Sequence, residues 1–376
     1  MGSTLPPEKI SVAVLFGGSS GEHEVSLKSA SSVISALDRE KYDIVPVGIT
    51  RDGRWLAGGD PLQALKEEDI PGDCSFATPV INPSFPGILL FERDIPHKTR
   101  RFIPLDAAFP VLHGPYGEDG TIQGLLEMAG LPYVGGGVLS CATAMDKAVM
   151  KVLFSHWGLP LGDYTYFTDY KWRQNRGEVV REVEGKLGYP CFIKPANMGS
   201  SVGVSKVNFK ADLEKSVELA LNYDHKVIVE EHISGREIEV SVLGSEEPAA
   251  SLPGEIVPCN EFYDFRAKYI DERSELLIPA PLSEDFQEQF KEYAVTAFKA
   301  VGGSGMGRVD FFFREEEQKI YVNEINNIPG FTEISMYPKL WEASGVSYSQ
   351  LLDKLIGIAF ERDKAKQELA IKLWEH

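Results

Sequence analysis

Three oxygen-bearing side chains and an arginine in the last third of the chain have the types and spacing to hold a metal ion beside a transferring phosphate. Side chains two apart on a strand share a face, roughly 6.5 to 7 Å apart. Glu324 and Asn326 therefore point the same way on a strand from Lys319 to Asn326, as do Arg308 and Asp310 on one from Arg308 to Phe313. The acidic turn Arg314-Glu-Glu-Glu-Gln318 between the two runs predicts a hairpin that brings both pairs together. Two carboxylates and an amide oxygen are hard ligands suited to Mg²⁺, which completes its shell with phosphate oxygens and water. An adjacent Arg stabilises charge developing in phosphoryl transfer. An isolated acid pair is more often a solvated hairpin face, but the irregular Asn326-Asn-Ile-Pro-Gly-Phe-Thr332 that follows argues for a site.

No Gly-x4-Gly-Lys-Ser/Thr run occurs, so a P-loop does not hold any nucleotide, and another phosphate grip is needed. Lys194 at the end of a strand, followed by Asn197-Met-Gly-Ser-Ser-Val-Gly203, supplies a cation and backbone N–H donors that can close over phosphates. Lys147 on a helix is a second cation, although alone it reads as a solvated residue. Glu230 ends the apolar run Val227 to Val229, and Glu231-His-Ile-Ser-Gly-Arg-Glu237 reads as a hinge whose carboxylates can bind an adenine amine and ribose hydroxyls. His113 among glycines and Glu22-His23-Glu24 at an earlier glycine turn can orient a small polar substrate, or be ordinary structural groups.

The elements that must position these groups follow from periodicity. Ile10-Ser-Val-Ala-Val-Leu-Phe16 reads as a buried strand, Gly17 to Gly21 as a turn, Leu27, Ala30, Ile34 and Leu37 as a helix stripe, and Tyr42 to Ile49 as a second strand. That order indicates a parallel α/β unit with its ligand at the carboxyl end of the strands. Trp55 to Lys98 reads as loops and short edge strands of no legible function. A strand at Ala107 to Leu112 runs into the His113 loop and a helix at Ile122 to Leu126. A helical segment from Ala142 carries Lys147 and Lys151. Cys191 to Lys194, Lys226 to Glu230 and Glu237 to Leu243 read as strands of a mostly antiparallel region. Ser283 caps a helix striped by Phe286, Phe290, Tyr293, Ala297, Phe298 and Val301, which Gly302 and Gly303 stop.

A chain of 376 residues, 43% hydrophobic and 25% charged, is too long for one ordinary core, so two or three domains are expected. The 56 acidic against 38 basic residues leave a formal charge of -18, which repels nucleic acid and anionic membrane surfaces. Four cysteines without paired spacing favour a reducing compartment over a disulfide or zinc framework. No apolar run approaches the roughly 20 residues needed to span a bilayer, and the expectation is a cytoplasmic protein.

Taken in order, these motifs resemble the D-alanine–D-alanine ligases. The resemblance runs from Phe16-Gly-Gly-Ser-Ser-Gly-Glu-His-Glu-Val-Ser26 through His113-Gly-Pro-Tyr-Gly-Glu-Asp-Gly120, Met145-Asp-Lys147, Ile193-Lys-Pro195 with Gly199-Ser-Ser-Val-Gly203, and Ala267-Lys-Tyr269. It continues to Gly307-Arg-Val-Asp310 and Asn323-Glu-Ile-Asn326 with Pro329-Gly330, nearly the whole chain. It implies an α/β (α+β overall) ATP-grasp fold in three domains: an N-terminal parallel α/β substrate-binding domain at 1–141, a central ATP-grasp domain at 142–233, and a C-terminal ATP-grasp domain with the metal site at 234–376. ATP would lie between the last two, with the amino acids near the first.

In such ligases ATP phosphorylates the carboxylate of one D-alanine and the amine of the second attacks the acyl phosphate, a step of peptidoglycan precursor synthesis. By resemblance, Glu22 binds the ammonium of the first D-alanine with His113 nearby, and Ser200 and Tyr269 join Glu22 in a set that holds the loops closed. Arg308 and the Gly330 N–H stabilise the oxyanion, while Ser335 and Met336 serve the second D-alanine. Lys147, Lys194 and Lys268 contact phosphates. Ser201, Glu230, Glu231, His232, Ile233 and Glu237 complete the ATP site, and Asp310, Glu324 and Asn326 hold Mg²⁺ or Mn²⁺, two ions by expectation. The resemblance associates Tyr at position 269 with the dipeptide and other residues there with ester-forming relatives that use D-lactate. It also implies a homodimer. Another ATP-grasp carboxylate–amine ligase, a dinucleotide-dependent oxidoreductase and a non-catalytic binding protein are the alternatives. The Glu22 and His113 motifs weigh against the first, and the Gly17 to Gly21 turn lacks the Gly-x-Gly-x-x-Gly spacing that the second needs.

Overall fold

The computed structural model describes residues 9–92, 95–257, 275–332 and 334–374. Lys268 and Tyr269 lie outside them. Three sheets carry the architecture.

The first has seven strands in the order β6-β5-β4-β3-β2-β1-β7. Strand β1 (Ile10–Gly17) pairs in parallel with β2 (Tyr42–Ile49), as the strand–turn–helix–strand pattern predicts, and also with β7 (Ala107–Pro110). Its residues from Val12 to Phe16 are buried on both faces, which is why they form an unbroken apolar run. Helix α1 (His23–Ala36) starts just after the glycine turn. The segment from Trp55 to Lys98 is more ordered than the sequence reading proposed. Strands β3 (Trp55–Ala57), β4 (Ser75–Val80), β5 (Gly87–Glu92) and β6 (Ile95–Pro104) form an antiparallel meander that extends the same sheet, with α2 (Pro61–Glu67) between the first two. Much of β4 and β5 is half-buried, so no clean alternation marked it. Helix α3 (Thr121–Met128) follows the His113 loop.

From Ala142 onward two helices replace the single one expected. Helix α4 (Val138–Met145) and α5 (Lys147–His156) are separated at Asp146, whose carboxylate accepts from the N–H groups of Ala148 and Val149, both at 3.1 Å. An Asp at an N-cap satisfies donors that a continuous helix would have bonded internally. Lys147 therefore opens a helix and is not a mid-helix residue.

The second sheet has the order β10-β9-β11-β8 and is antiparallel throughout. Its strands are β8 (Tyr164–Thr168), β9 (Cys191–Pro195), β10 (Ser205–Val207) and β11 (Lys226–Glu231), packed on α6 (Asp169–Lys186) and α7 (Lys210–Leu221) around the fully buried Trp172. The third sheet comprises β12 (Arg236–Gly244), β13 (Ala249–Ala250), β14 (Gly254–Val257), β15 (Glu275–Leu277), β16 (Gly305–Arg314) and β17 (Lys319–Asn326). Helix α8 (Glu284–Ala300) covers its inner face through Phe290, Ala294, Ala297 and Phe298. Ser283 occupies its N-cap position but makes no side-chain capping bond.

Helices α9 (Met336–Ala343) and α10 (Tyr348–Trp374) end the described chain. Leu351, Leu352, Leu355 and Ile356 of α10 share one core with Val12, Val14, Phe16 and Phe109 of the first sheet. Arg362 ties the same helix to the carbonyls of Gly135 and Tyr133 at 2.5 and 2.6 Å.

Candidate active site

The third sheet presents an acidic face to a cavity of about 920 Å³. Across the β12–β16 ladder Glu239 stands opposite Asp310, and across β16–β17 Asp310 stands opposite Glu324 and Arg308 opposite Asn326. One irregularity makes this possible. Strict alternation along β17 would put Glu324 and Asn326 on the side of Ile320 and Val322, which are core residues. The ladder instead pairs Asp310 with Glu324 and Phe311 with Val322, leaving Asn323 as an extra, bulged residue. That bulge shifts the phase, so Ile325 enters the core while Glu324 and Asn326 turn to the cavity.

Asp310 is tightly held there. Arg308 donates to it twice, Nε to Oδ1 and Nη2 to Oδ2, both at 2.7 Å, and Asn326 Nδ2 donates to Oδ2 at 3.0 Å. Lys147 Nζ lies 3.5 Å from Glu324 Oε2. Among the described residues no three His, Cys, Asp or Glu side chains are grouped to hold a metal unaided. The donor set is two carboxylates and an amide, the hard-oxygen chemistry of a magnesium site that borrows ligands from a phosphate. The residues fit the ion on those terms.

Facing this sheet is a cluster of lysines. Glu230, at the end of β11, is clamped between Lys151 Nζ at 2.7 Å and Lys194 Nζ at 2.6 Å. Burial alone would raise the Glu230 pKa, but the two ammonium groups hold the carboxyl well below the usual carboxylate range. Burial works against the Lys194 charge as well, yet Glu230 and Glu324 together raise its pKa above the ordinary value. Lys147 Nζ donates to the Met198 carbonyl at 2.8 Å, tying α5 to the glycine–serine loop. Glu231 Oε1 accepts from the Asp163 N–H at 2.8 Å, and the His232 ring leans on Phe192 with centroids 5.7 Å apart.

The glycine–serine loop reaches the start of α1, where the Ser200 hydroxyl donates to Glu22 Oε1. Glycines permit that approach: a Cβ at Gly114 or at Gly199 would lie 2.9 Å from Glu22 Oε2. His113 is buried, with Nδ1 3.1 Å from the Ile328 carbonyl and 3.5 Å from Glu118 Oε1, and Nε2 3.2 Å from Ser29 Oγ. Burial would lower its pKa, but Glu118 and Glu22 outweigh that and raise it. At the far wall a Cβ on Gly330 would meet Ser335 Oγ at 2.8 Å. That hydroxyl accepts from the Thr332 N–H at 3.0 Å at the start of α9, while Met336 is packed against Ile256 and Leu340.

Every residue to which the resemblance gives a role, apart from the undescribed Lys268 and Tyr269, lines this one cavity, whereas His23 and Glu24 do not: His23 Nδ1 lies 2.7 Å from the Gly18 carbonyl and Glu24 pairs with Arg51 at 2.7 Å. Two models of known families match the chain: that of the D-ala D-ala ligase N-terminus over residues 11–136 and that of the D-ala D-ala ligase C-terminus over residues 153–357. The chain belongs to the D-alanine–D-alanine ligase family.

Among relatives that carry the name D-alanine–D-alanine ligase, one from Natranaerobius thermophilus is 49% identical over 359 residues, 96% of this chain and 97% of its own. Another from Heliobacterium modesticaldum is 50% identical over 363 residues, 96% of this chain and 98% of its own. Solved structures agree on the ATP-grasp architecture of this family. The D-alanine–D-alanine ligase of Coxiella burnetii superposes with a TM-score of 0.82 at 37% identity, covering 98% of each chain. The VanG D-Ala:D-Ser ligase of Enterococcus faecalis does so with 0.83 at 39%, covering 94% of this chain and 100% of its own. No helix among the described residues of this ligase is long and apolar enough to cross a membrane.

The sequence reading of this ligase missed two buried members of the cavity wall. Glu239 lies two residues after Glu237 on the same face of β12, so the alternation of the strand from Glu237 to Leu243 could have found it. Lys151, one helical turn after Lys147, was placed on a helix and given no role, although the i, i+4 spacing puts both ammonium groups on one side of α5.

Proposed function

We propose that this chain joins two D-alanine molecules into D-alanyl-D-alanine at the expense of ATP, releasing ADP and phosphate, as a step of peptidoglycan precursor synthesis. The observation that carries the reading is the convergence, on one cavity, of Glu22 and Ser200 with the Arg308–Asp310 and Glu324–Asn326 pairs. A free carboxylate resists attack by an amine, so the first D-alanine must be activated by the γ-phosphoryl group. Glu22 binds its ammonium, with His113 beside it. Lys147, Lys194 and Lys268 bind the phosphates, and Ser201, Glu230, Glu231, His232, Ile233 and Glu237 surround the nucleotide. The Glu230 carboxylate stays paired with Lys151 and Lys194 and orients the phosphate lysine as well as the base.

Asp310, Glu324 and Asn326 would hold Mg²⁺ or Mn²⁺, which when bound neutralises phosphate charge. Ser335 and the backbone N–H of Met336, at the N-terminus of α9, take the carboxylate of the second D-alanine. Its amine attacks the acyl carbon, Arg308 and the Gly330 N–H stabilise the oxyanion, and phosphate leaves as the tetrahedral intermediate collapses. Ser200 and Tyr269 keep the loops closed on Glu22, which excludes the water that would hydrolyse the acyl phosphate.

The domains are divided at 1–141, 142–233 and 234–376, and the working form is a cytoplasmic homodimer. A D-serine acceptor is the second reading, favoured by the likeness to the VanG D-Ala:D-Ser ligase. The test is ADP release with ATP, Mg²⁺ and D-alanine, alone or with L-alanine, D-serine or D-lactate, with products identified by mass. D-alanyl-D-alanine as the sole product supports the main reading. D-alanyl-D-serine favours the second, a depsipeptide overturns the role given to Tyr269, and no product overturns the ligase assignment.

A further inference from the structure

Arg308 stands between two acids. Its Nε donates to Asp310 Oδ1 at 2.7 Å, and Glu239 Oε2 lies 3.0 Å from the same nitrogen. An arginine Nε carries a single proton, and here that proton is directed at Asp310. The Glu239 contact is thus an ion pair poised beside a hydrogen bond that another carboxylate holds. The ladder keeps the three groups together, with Glu239 opposite Asp310 and Ser241 opposite Arg308. Both acids and the guanidinium are largely shielded from water, with side-chain exposures of 7% for Glu239, 15% for Arg308 and 13% for Asp310.

Asp310 has two claims on it. It grips Arg308 through both oxygens, and it is one of the carboxylates assigned to the metal. A divalent cation arriving with the phosphates competes with the guanidinium for the same lone pairs and repels it. If Asp310 were the sole anchor, metal binding would release Arg308 from the place where the oxyanion forms. We propose that Glu239 is a positioning residue that takes over the Arg308 guanidinium when Asp310 turns to the metal, so that metal loading and oxyanion stabilisation coexist. This rests on the assignment of Asp310 to the metal under Proposed function.

The experiment is calorimetric titration of Mn²⁺ into the full-length enzyme–ADP complex, alongside steady-state kinetics. Glu239→Gln removes the second carboxylate beside the Arg308 guanidinium and is expected to weaken Mn²⁺ binding about tenfold and to lower kcat about tenfold, with the KM for ATP little changed. Glu239→Asp keeps the charge but withdraws the carboxylate by one methylene, and is expected to weaken Mn²⁺ binding nearly as much. Adding Arg308→Met to Glu239→Gln removes the competing guanidinium and restores the affinity. Wild-type Mn²⁺ binding in Glu239→Asp would show that only charge matters and overturn the proposal, as would a double variant no better than the single one. Unchanged Mn²⁺ binding in Asp310→Asn would instead overturn the metal assignment beneath it.

Discussion

The Lys151 ammonium donates to the carbonyl of Asn323 at 3.2 Å, the residue that stands unpaired in the β16–β17 ladder. The same nitrogen pairs with Glu230, which in turn holds Lys194. One buried lysine therefore braces both the bulge that aims Glu324 and Asn326 and the carboxylate that holds Lys194.

Lys151→Met is expected to destabilise the fold by about 3 to 5 kcal/mol, the cost of stripping one partner from a buried ion pair. It should also raise the KM for ATP. Urea unfolding and ATP titration read the two effects, and a variant as stable as wild type would remove Lys151 from this role.

Ser200→Ala removes the hydroxyl that closes the glycine–serine loop on Glu22. A hydrogen bond to a charged group contributes roughly 1.5 to 3 kcal/mol, so the closed state should lose about tenfold or more in population. Water then competes for the acyl phosphate. The ratio of ADP to dipeptide, measured by coupled assay and mass spectrometry, is expected to rise above one. Tyr269→Phe should do the same more mildly, and a one-to-one ratio in both variants would sink the loop-closing set.

Arg308→Ala and Glu324→Gln are expected to abolish measurable ligation while leaving the fold intact. Loss of one oxyanion donor alone costs roughly 10²- to 10³-fold. Dipeptide formation with near-UV circular dichroism as the folding control decides it, and full activity in either variant would refute the assigned site.

Glu230 sets an acid limit on stability. Because its pKa is depressed in the folded protein, its contribution is complete above the unfolded value of about 4.3 and is lost as pH falls towards the folded one. Lys194 has the opposite sign. Its raised pKa makes its contribution complete below about 10.4 and lost as pH rises further. Urea midpoints should therefore be insensitive to this pair from about pH 5 to 10, and Glu230→Gln should flatten the fall below about pH 4. An acid limb of unchanged slope in that variant would contradict the pairing.

Local spacing alone was enough for the parallel unit at Ile10 to Ile49, the hairpin at Arg308 to Asn326, and the grouping of Arg308, Asp310, Glu324 and Asn326 within it. These signals are short-range. Alternation and turn composition depend on neighbours within a few residues, and the residue types state their own ligand chemistry. The expectation that Glu22, Ser200 and Ser335 serve one site needed the order of motifs along the whole chain, because each is unremarkable by itself.

Other features depended on contacts that no window contains. The Asn323 bulge was invisible because strict alternation is the local expectation, and only Ile325 competing for the core against Glu324 decides the phase. The docking of α10 on the first sheet, 339 positions after Val12 at Leu351, was equally hidden, since an apolar stripe states that it will be buried but not against what. Residue types and their order thus determined what chemistry this chain carries. Tertiary packing decided which group faces which carboxylate, because the contacts of Ser200 with Glu22, Lys151 with Glu230, and Arg308 with Glu239 join strands, helices and loops that only the folded core brings together.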